Sequence, residues 1–197
     1  MIKFSLLQAL SIIGIMMMFS SCEDVPVANN EDAEIVDEYY DFQDFILSSY
    51  DIPAIISLPD ETANIGASTK PEVIHVPSDY KWDLKVGQNF KIHIEDCAEV
   101  ADLVKEKKEE LADRTFYNIK YLIEDEDLIM YERTLVVSGT ENASPTVGIE
   151  HKSYHVYGQK KLGKIYYELR SQEEGSDKTI INLMVKSIRS LRPSEIK

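Results

Sequence analysis

Beyond residue 51 the apolar positions recur with a period of two. Residues 52–58 form a short apolar run closed by the turn signal Pro59-Asp60. Val73, His75 and Pro77 fall opposite Ile74 and Val76 in the next stretch. Trp82, Leu84 and Val86 alternate with Asp83 and Lys85, and Gly87 ends that run. Phe90, Ile92 and Ile94 alternate with Lys91, His93 and Glu95. Alternation of this kind predicts a sheet with one buried and one wet face.

The period then lengthens. Cys97, Val100, Ala101, Val104 and Leu111 share one helical face, with Asp102, Lys105, Glu106 and Glu109 largely on the other. This predicts an amphipathic helix over about 97–114, with Cys97 a small buried hydrophobe on its apolar side. Strands resume at 117–123 and 128–137, with Glu124-Asp125-Glu126-Asp127 as a solvated hairpin tip. A further pair is expected at 149–157 and 164–170, with Gly158 and Gly163 bounding its turn. A closing helix spans about 177–191, capped by Ser176 or Asp177 and stopped by Pro193. Ile180, Leu183 or Met184, Ile188 and Leu191 form its stripe. The expected fold is α+β: an antiparallel β-sheet packed with two amphipathic helices.

The N-terminus follows neither pattern. Its first 21 residues carry one charge, Lys3, and an apolar run from Leu6 to Phe19 is broken only by Gln8 and Ser11. That run is shorter than the roughly 20 residues a spanning helix needs. A basic start before a short apolar stretch is a signal-peptide pattern. Ser20 and Ser21 then precede Cys22. The segment resembles a bacterial lipoprotein signal, with Phe19-Ser20-Ser21-Cys22 as its lipobox, although Phe stands where Leu is usual. The resemblance implies that residues 1–21 are removed and that Cys22 carries a diacylglycerol thioether and an acylated amino group. Several acyl chains hold a protein stably where one does not. Glu23-Asp24 resembles the surface-export signal of Bacteroidota lipoproteins. Outer-membrane attachment through the lipid is the expectation, with the periplasmic or cell-surface face left open.

Charge sharpens this organisation. The 197 residues carry a formal net charge of -14. Residues 23–69 hold 12 acids and no Lys or Arg, whereas residues 70–197 hold 20 bases and 23 acids. Residues 22–51 therefore read as an acidic tether that anionic head groups repel. Asn30 can cap a helix in it, and Ile35, Tyr39, Phe42 and Ile46 recur at helical spacing. The divisions expected are signal 1–21, tether 22–51, one α+β domain 52–192 and a short tail 193–197. Lys152, Lys160, Lys161, Lys164, Lys178, Lys186, Arg189 and Arg192 crowd the C-terminal fifth. They can latch the acidic tether or meet an acidic partner.

The element order resembles the Mog1/PsbP-like fold, carried by residues 90–94 leading into the helix, 149–170 and 180–191. That resemblance implies a binding or assembly module and transfers no site residue.

Candidate chemistry is sparse. The acidic balance argues against nucleic acid, and two cysteines exclude a disulfide scaffold. Nucleophile-elbow, phosphate-loop, dinucleotide and zinc motifs are absent. His75 and His93 fall on separate strands. His151 and His155 share a strand face roughly 13 Å apart, too far for one ion. The histidines are read as lying on wet sheet faces. Tyr154, Tyr157, Tyr166 and Tyr167 are read as sheet packing ahead of a sugar platform. No catalytic, metal or cofactor residue is assigned, and Cys22 is the one modification site. The leading expectation is a non-enzymatic, lipid-anchored accessory module with an envelope protein partner. The alternatives are a small-ligand or glycan-binding lipoprotein, and an envelope hydrolase without a linear motif.

Overall fold

The computed structural model describes residues 41–60, 62, 70–75, 79–137, 141–142 and 152–194. Cys22, Asn30 and the rest of the expected signal and anchor lie outside the described residues, as do His151 and Pro77.

The first described element is a strand, β1 (Phe42–Ile46), where helical spacing predicted a helix. A 3-10 turn at Ser48–Tyr50 returns the chain to β2 (Ala54–Pro59), which pairs antiparallel with β1. Ile46, on the expected helical stripe, is exposed, whereas Leu47, off it, is fully buried. The apolar spacing here was also compatible with an edge strand, and pairing with β2 selects the strand. The domain therefore begins by residue 42, inside the segment read as tether.

The middle of the chain follows its period closely. β3 (Glu72–His75), β4 (Lys81–Val86) and β5 (Phe90–Asp96) pair in sequence. Trp82, Leu84, Val86, Phe90, Ile92 and Ile94 are all buried on one face. The helix that follows is shorter than expected, α1 (Leu103–Ala112). Ala98 and Asp102 take left-handed backbone angles that no helix can contain. Cys97 donates its N–H to Tyr166 O at 2.9 Å and so belongs to the sheet margin. Next come β6 (Tyr117–Glu124), β7 (Leu128–Val137) and the short β8 (Glu141–Asn142). β9 (Lys152–Leu162) and β10 (Ile165–Arg170) form the second hairpin. Its turn is Gly163-Lys164 alone, and Gly158 lies inside β9 opposite Leu169, not at the turn.

α2 (Lys178–Ser190) closes the domain. Its cap is Asp177, whose carboxylate accepts from Ile180 N at 2.9 Å, a contact worth about 1 kcal/mol. Ile180, Ile181, Leu183, Met184, Val185 and Ile188 are buried, each stabilising by roughly 1.5–3 kcal/mol. Arg192 and Pro193, the last residue of the expected domain and the first of the expected tail, then form β11 (Arg192–Pro193), which pairs with β2.

The architecture is α+β. An eight-stranded antiparallel sheet runs β3-β4-β5-β10-β9-β7-β6, with β8 on β7, and a three-stranded sheet runs β1-β2-β11. α2 and the small sheet share the main core with the inner face of the large sheet. α1 covers part of the outer face, where Leu103, Val104 and Leu111 meet Ile129, Tyr131 and Tyr157.

Candidate functional site

The uncovered outer face beside α1 forms a cleft of about 480 Å³. Two local periods build it. Glu106, Lys107 and Glu110 follow helical spacing and share one side of α1, with Arg114 just beyond its end. Tyr131 and Arg133 on β7, His155 and Tyr157 on β9, and Glu168 and Arg170 on β10 are spaced by two, so they face the same way. Cross-strand register sets Tyr131 beside His155 and Arg170 beside Tyr157.

Charges in the cleft are matched. Lys107 lies 2.7 Å from Glu110, and Arg114 pairs with the same carboxylate. Burial raises the Glu110 titration, but these two cations overcome it and leave it below the usual carboxylate range. Arg170 Nε donates to Glu168 Oε1 at 2.9 Å, and the Tyr157 hydroxyl donates to Glu168 Oε2 at 2.7 Å. Burial and that bond together push the Tyr157 phenol well above its ordinary value. Burial pushes Tyr131 up to about 12. Arg133 donates to the Glu173 carbonyl at 2.8 Å and stacks over Tyr117 at 4.6 Å.

His155 is a correction to the expectation of a wet face, being 3% exposed. Its ring stacks on Tyr131 at 5.1 Å and an 11° angle. Nε2 is 2.8 Å from Ser153 Oγ, and the Gln172 backbone supplies a second hydrogen bond. Burial first, then repulsion from Arg133, lowers its pKa to about 3, so the ring is neutral at physiological pH.

The polar face continues toward β4. His93 Nδ1 is 2.5 Å from Asp83 Oδ1, and Lys91 Nζ is 2.9 Å from Asp83 Oδ2. A smaller cleft of about 240 Å³ there shares Glu168 and Arg170 with the first.

The other residues singled out in the sequence are dispersed. His75 stacks on Trp82 at 4.7 Å, away from His93 and His155. Among the described residues no three His, Cys, Asp or Glu side chains are grouped to hold a metal. The four tyrosines form no common platform. Tyr154 and Tyr167 pack on the inner core, and Tyr157 and Tyr166 on the outer one. The acidic tip is held by cations from both helices, Lys108 to Glu124 and Arg189 to Asp125. The basic cluster divides among partners: Lys152 meets Glu132, Lys161 lies over Tyr166, Lys186 over Phe42, and Arg192 meets Asp44. The last two tie C-terminal cations to the acidic segment at β1; the acids before residue 41 lie outside the described residues.

Sequence reading missed the cleft. Its signal was present in the spacing of Lys107, Glu110 and Arg114 and in the polar positions of β7, β9 and β10, but nothing linear joined them. Comparison of the chain with protein-family models, curated proteins and solved structures finds no match.

Proposed function

We propose that the chain is a lipid-anchored envelope lipoprotein, held at the outer membrane through Cys22, whose domain acts by binding a protein partner. The observation that carries the binding half is the cleft beside α1. Lys107, Arg114, Arg133 and Arg170 alternate there with Glu106, Glu110, Glu168 and Glu173. Such a surface selects a partner segment by the pattern of its charges more than by apolar area. The anchoring half rests on the lipobox resemblance and on the acidic run after Cys22. The Mog1/PsbP-like reading of the domain belongs to the same proposal, supported by the order of strands, helix, antiparallel strands and closing helix.

A hydrolytic reading calls for a carboxylate held protonated near neutral pH. The described carboxylates with displaced titrations, Asp44, Asp60, Asp83 and Glu110, are all displaced downward. That favours binding over acid–base catalysis.

The test is crosslinking in intact envelopes with the full chain tagged at its C-terminus. A Cys22→Ala chain leaves the membrane fraction if the anchor is right. A partner captured by the native chain and lost with Lys107→Glu plus Arg133→Glu supports the cleft. Capture that is indifferent to both cleft substitutions overturns it.

A further inference from the structure

A second cavity, of about 660 Å³, lies where the small sheet meets the edge of the large one. It is separate from the charged cleft and shares no lining residue with it. Its aromatic walls come from Trp82, His75, Tyr80 and Tyr167. Among the described residues that line it, the carboxylates are Asp51 and Asp96, and none is Lys or Arg. The cavity beside α1 has four cations against four acids, so acidity here is local and not a reflection of overall charge.

The backbone is also specialised at this place. Four described non-glycine residues have left-handed φ, and two of them, Asp51 (φ 66) and Tyr80 (φ 49), line the cavity. For Tyr80 that conformation is costly, of the kind that collects at ligand sites, whereas Asp51 caps the 3-10 turn in a conformation that aspartate tolerates. The Tyr80 carbonyl accepts from Asp96 N at 3.0 Å, which sets the exposed Tyr80 side chain at the rim beside that carboxylate. Asp96 Oδ1 accepts from Ala98 N at 2.7 Å. Trp82 is 4% exposed, and its indole N–H is buried with no acceptor.

The geometry points to a binding site for a small organic cation, an ammonium group carried on an apolar body. Ring faces attract a cation through their quadrupole, and desolvation strengthens that attraction. The two carboxylates supply the compensating charge, and Ile52, Pro53 and Ile165 take the apolar body. An anion meets repulsion from both acids. A neutral saccharide stacks on the rings but leaves the two carboxylates without a countercharge. This site is independent of the protein-binding cleft.

Trp82 is the only tryptophan of the chain, so one indole N–H resonance reports on this cavity and on the smaller cleft that Trp82 also lines, and the Asp51→Asn variant tells the two apart. The full chain, in a non-ionic detergent, is titrated with tetramethylammonium chloride while that resonance is followed. tert-Butanol, methyl glucoside and sodium acetate are titrated in parallel. The expected result is a saturable shift with tetramethylammonium only, weakened at least fivefold by Asp51→Asn or Tyr80→Ala, with unchanged thermal midpoints. Asp51 and Tyr80 are at the cavity rim, so either substitution tests the site without opening the core. No saturable shift, an equal shift with tert-butanol or methyl glucoside, or affinity indifferent to Asp51→Asn overturns the inference.

Discussion

Gly175 packs so closely on His155 that a Cβ at this position would come within 2.7 Å of ring atoms Cε1 and Nε2. The same Cβ would meet the Tyr154 carbonyl at 2.7 Å, and the Gly175 φ of +77° disfavours any side chain. Gly175→Ala is therefore expected to cost about 3 kcal/mol or more in urea unfolding. Adding His155→Ala recovers only part of the loss, because the backbone clash and the strained φ remain. Full recovery would show that the ring is the whole obstacle.

Buried His155 makes stability depend on pH. Its folded pKa of about 3 lies below the unfolded value of 6.5. Below pH 6.5 the unfolded chain takes up a proton that the folded chain refuses, so stability is full above that pH and falls as pH drops toward 3. The expected loss is about 2 kcal/mol between pH 7 and pH 5. His93, lowered by burial against the attraction of Asp83, adds with the same sign. His155→Gln should remove most of the slope, read as urea midpoints at the two pH values.

Two glycines of the β9–β10 hairpin should respond differently to asparagine. At Gly163, φ is +64° and no atom lies within 4 Å of a Cβ. Asn tolerates that conformation, so Gly163→Asn is expected to be nearly neutral. At Gly158 a Cβ meets Ile188 Cγ2 at 3.1 Å and Asp127 O at 3.3 Å. Gly158→Asn forces α2 away from the sheet and should cost about 1–3 kcal/mol. Equal thermal shifts for the two would contradict this assignment.

Removal of residues 1–51 should unfold the domain, whereas removal of residues 1–40 should not. The shorter chain loses β1, the partner of β2, together with Leu47, which is fully buried. Loss of a buried leucine side chain alone costs about 2–5 kcal/mol. Circular dichroism melting of the two truncated chains decides the point; equal melting would place the domain start at residue 52.

Cys97 should alkylate slowly. Burial raises its thiol pKa, and the nearby Glu168 carboxylate raises it further. The thiolate is the reacting species. Labelling with iodoacetamide at pH 8 is expected to be at least tenfold slower in the folded chain than in urea. Equal rates would show that the thiol is open.

The legible part of the fold was the part governed by local period. Trp82, Leu84 and Val86 alternate because every second strand side chain meets the core, and they are buried as that alternation required. Asp177 and the stripe from Ile180 to Leu191 identified α2 in the same way. Phe42 and Ile46 misled, because a spacing of four in a five-residue segment is common to a helix turn and to a strand face. Gly158 misled because a glycine needed for close approach reads like one needed for a turn. His155 was placed on a wet face because its alternation is correct but its cover, Tyr131 and Gly175, comes from elsewhere in the chain.

From sequence alone come the α+β class, most element positions and the acidic character of residues 23–69, all properties of residues near one another along the chain. The lipid anchor is read from the same local pattern and stands as a proposal. The tertiary structure decided the strand order, the start of the domain at β1, the charged cleft and the aromatic cavity. Each of these depends on which distant segments meet. Asp44 reaches Arg192 across 148 positions, and Tyr131 meets His155 through the register of two strands. Hydrophobic period dictates which way a side chain points, because that is set by the local backbone. It carries no information on what the side chain meets, because that is set by chain closure and packing.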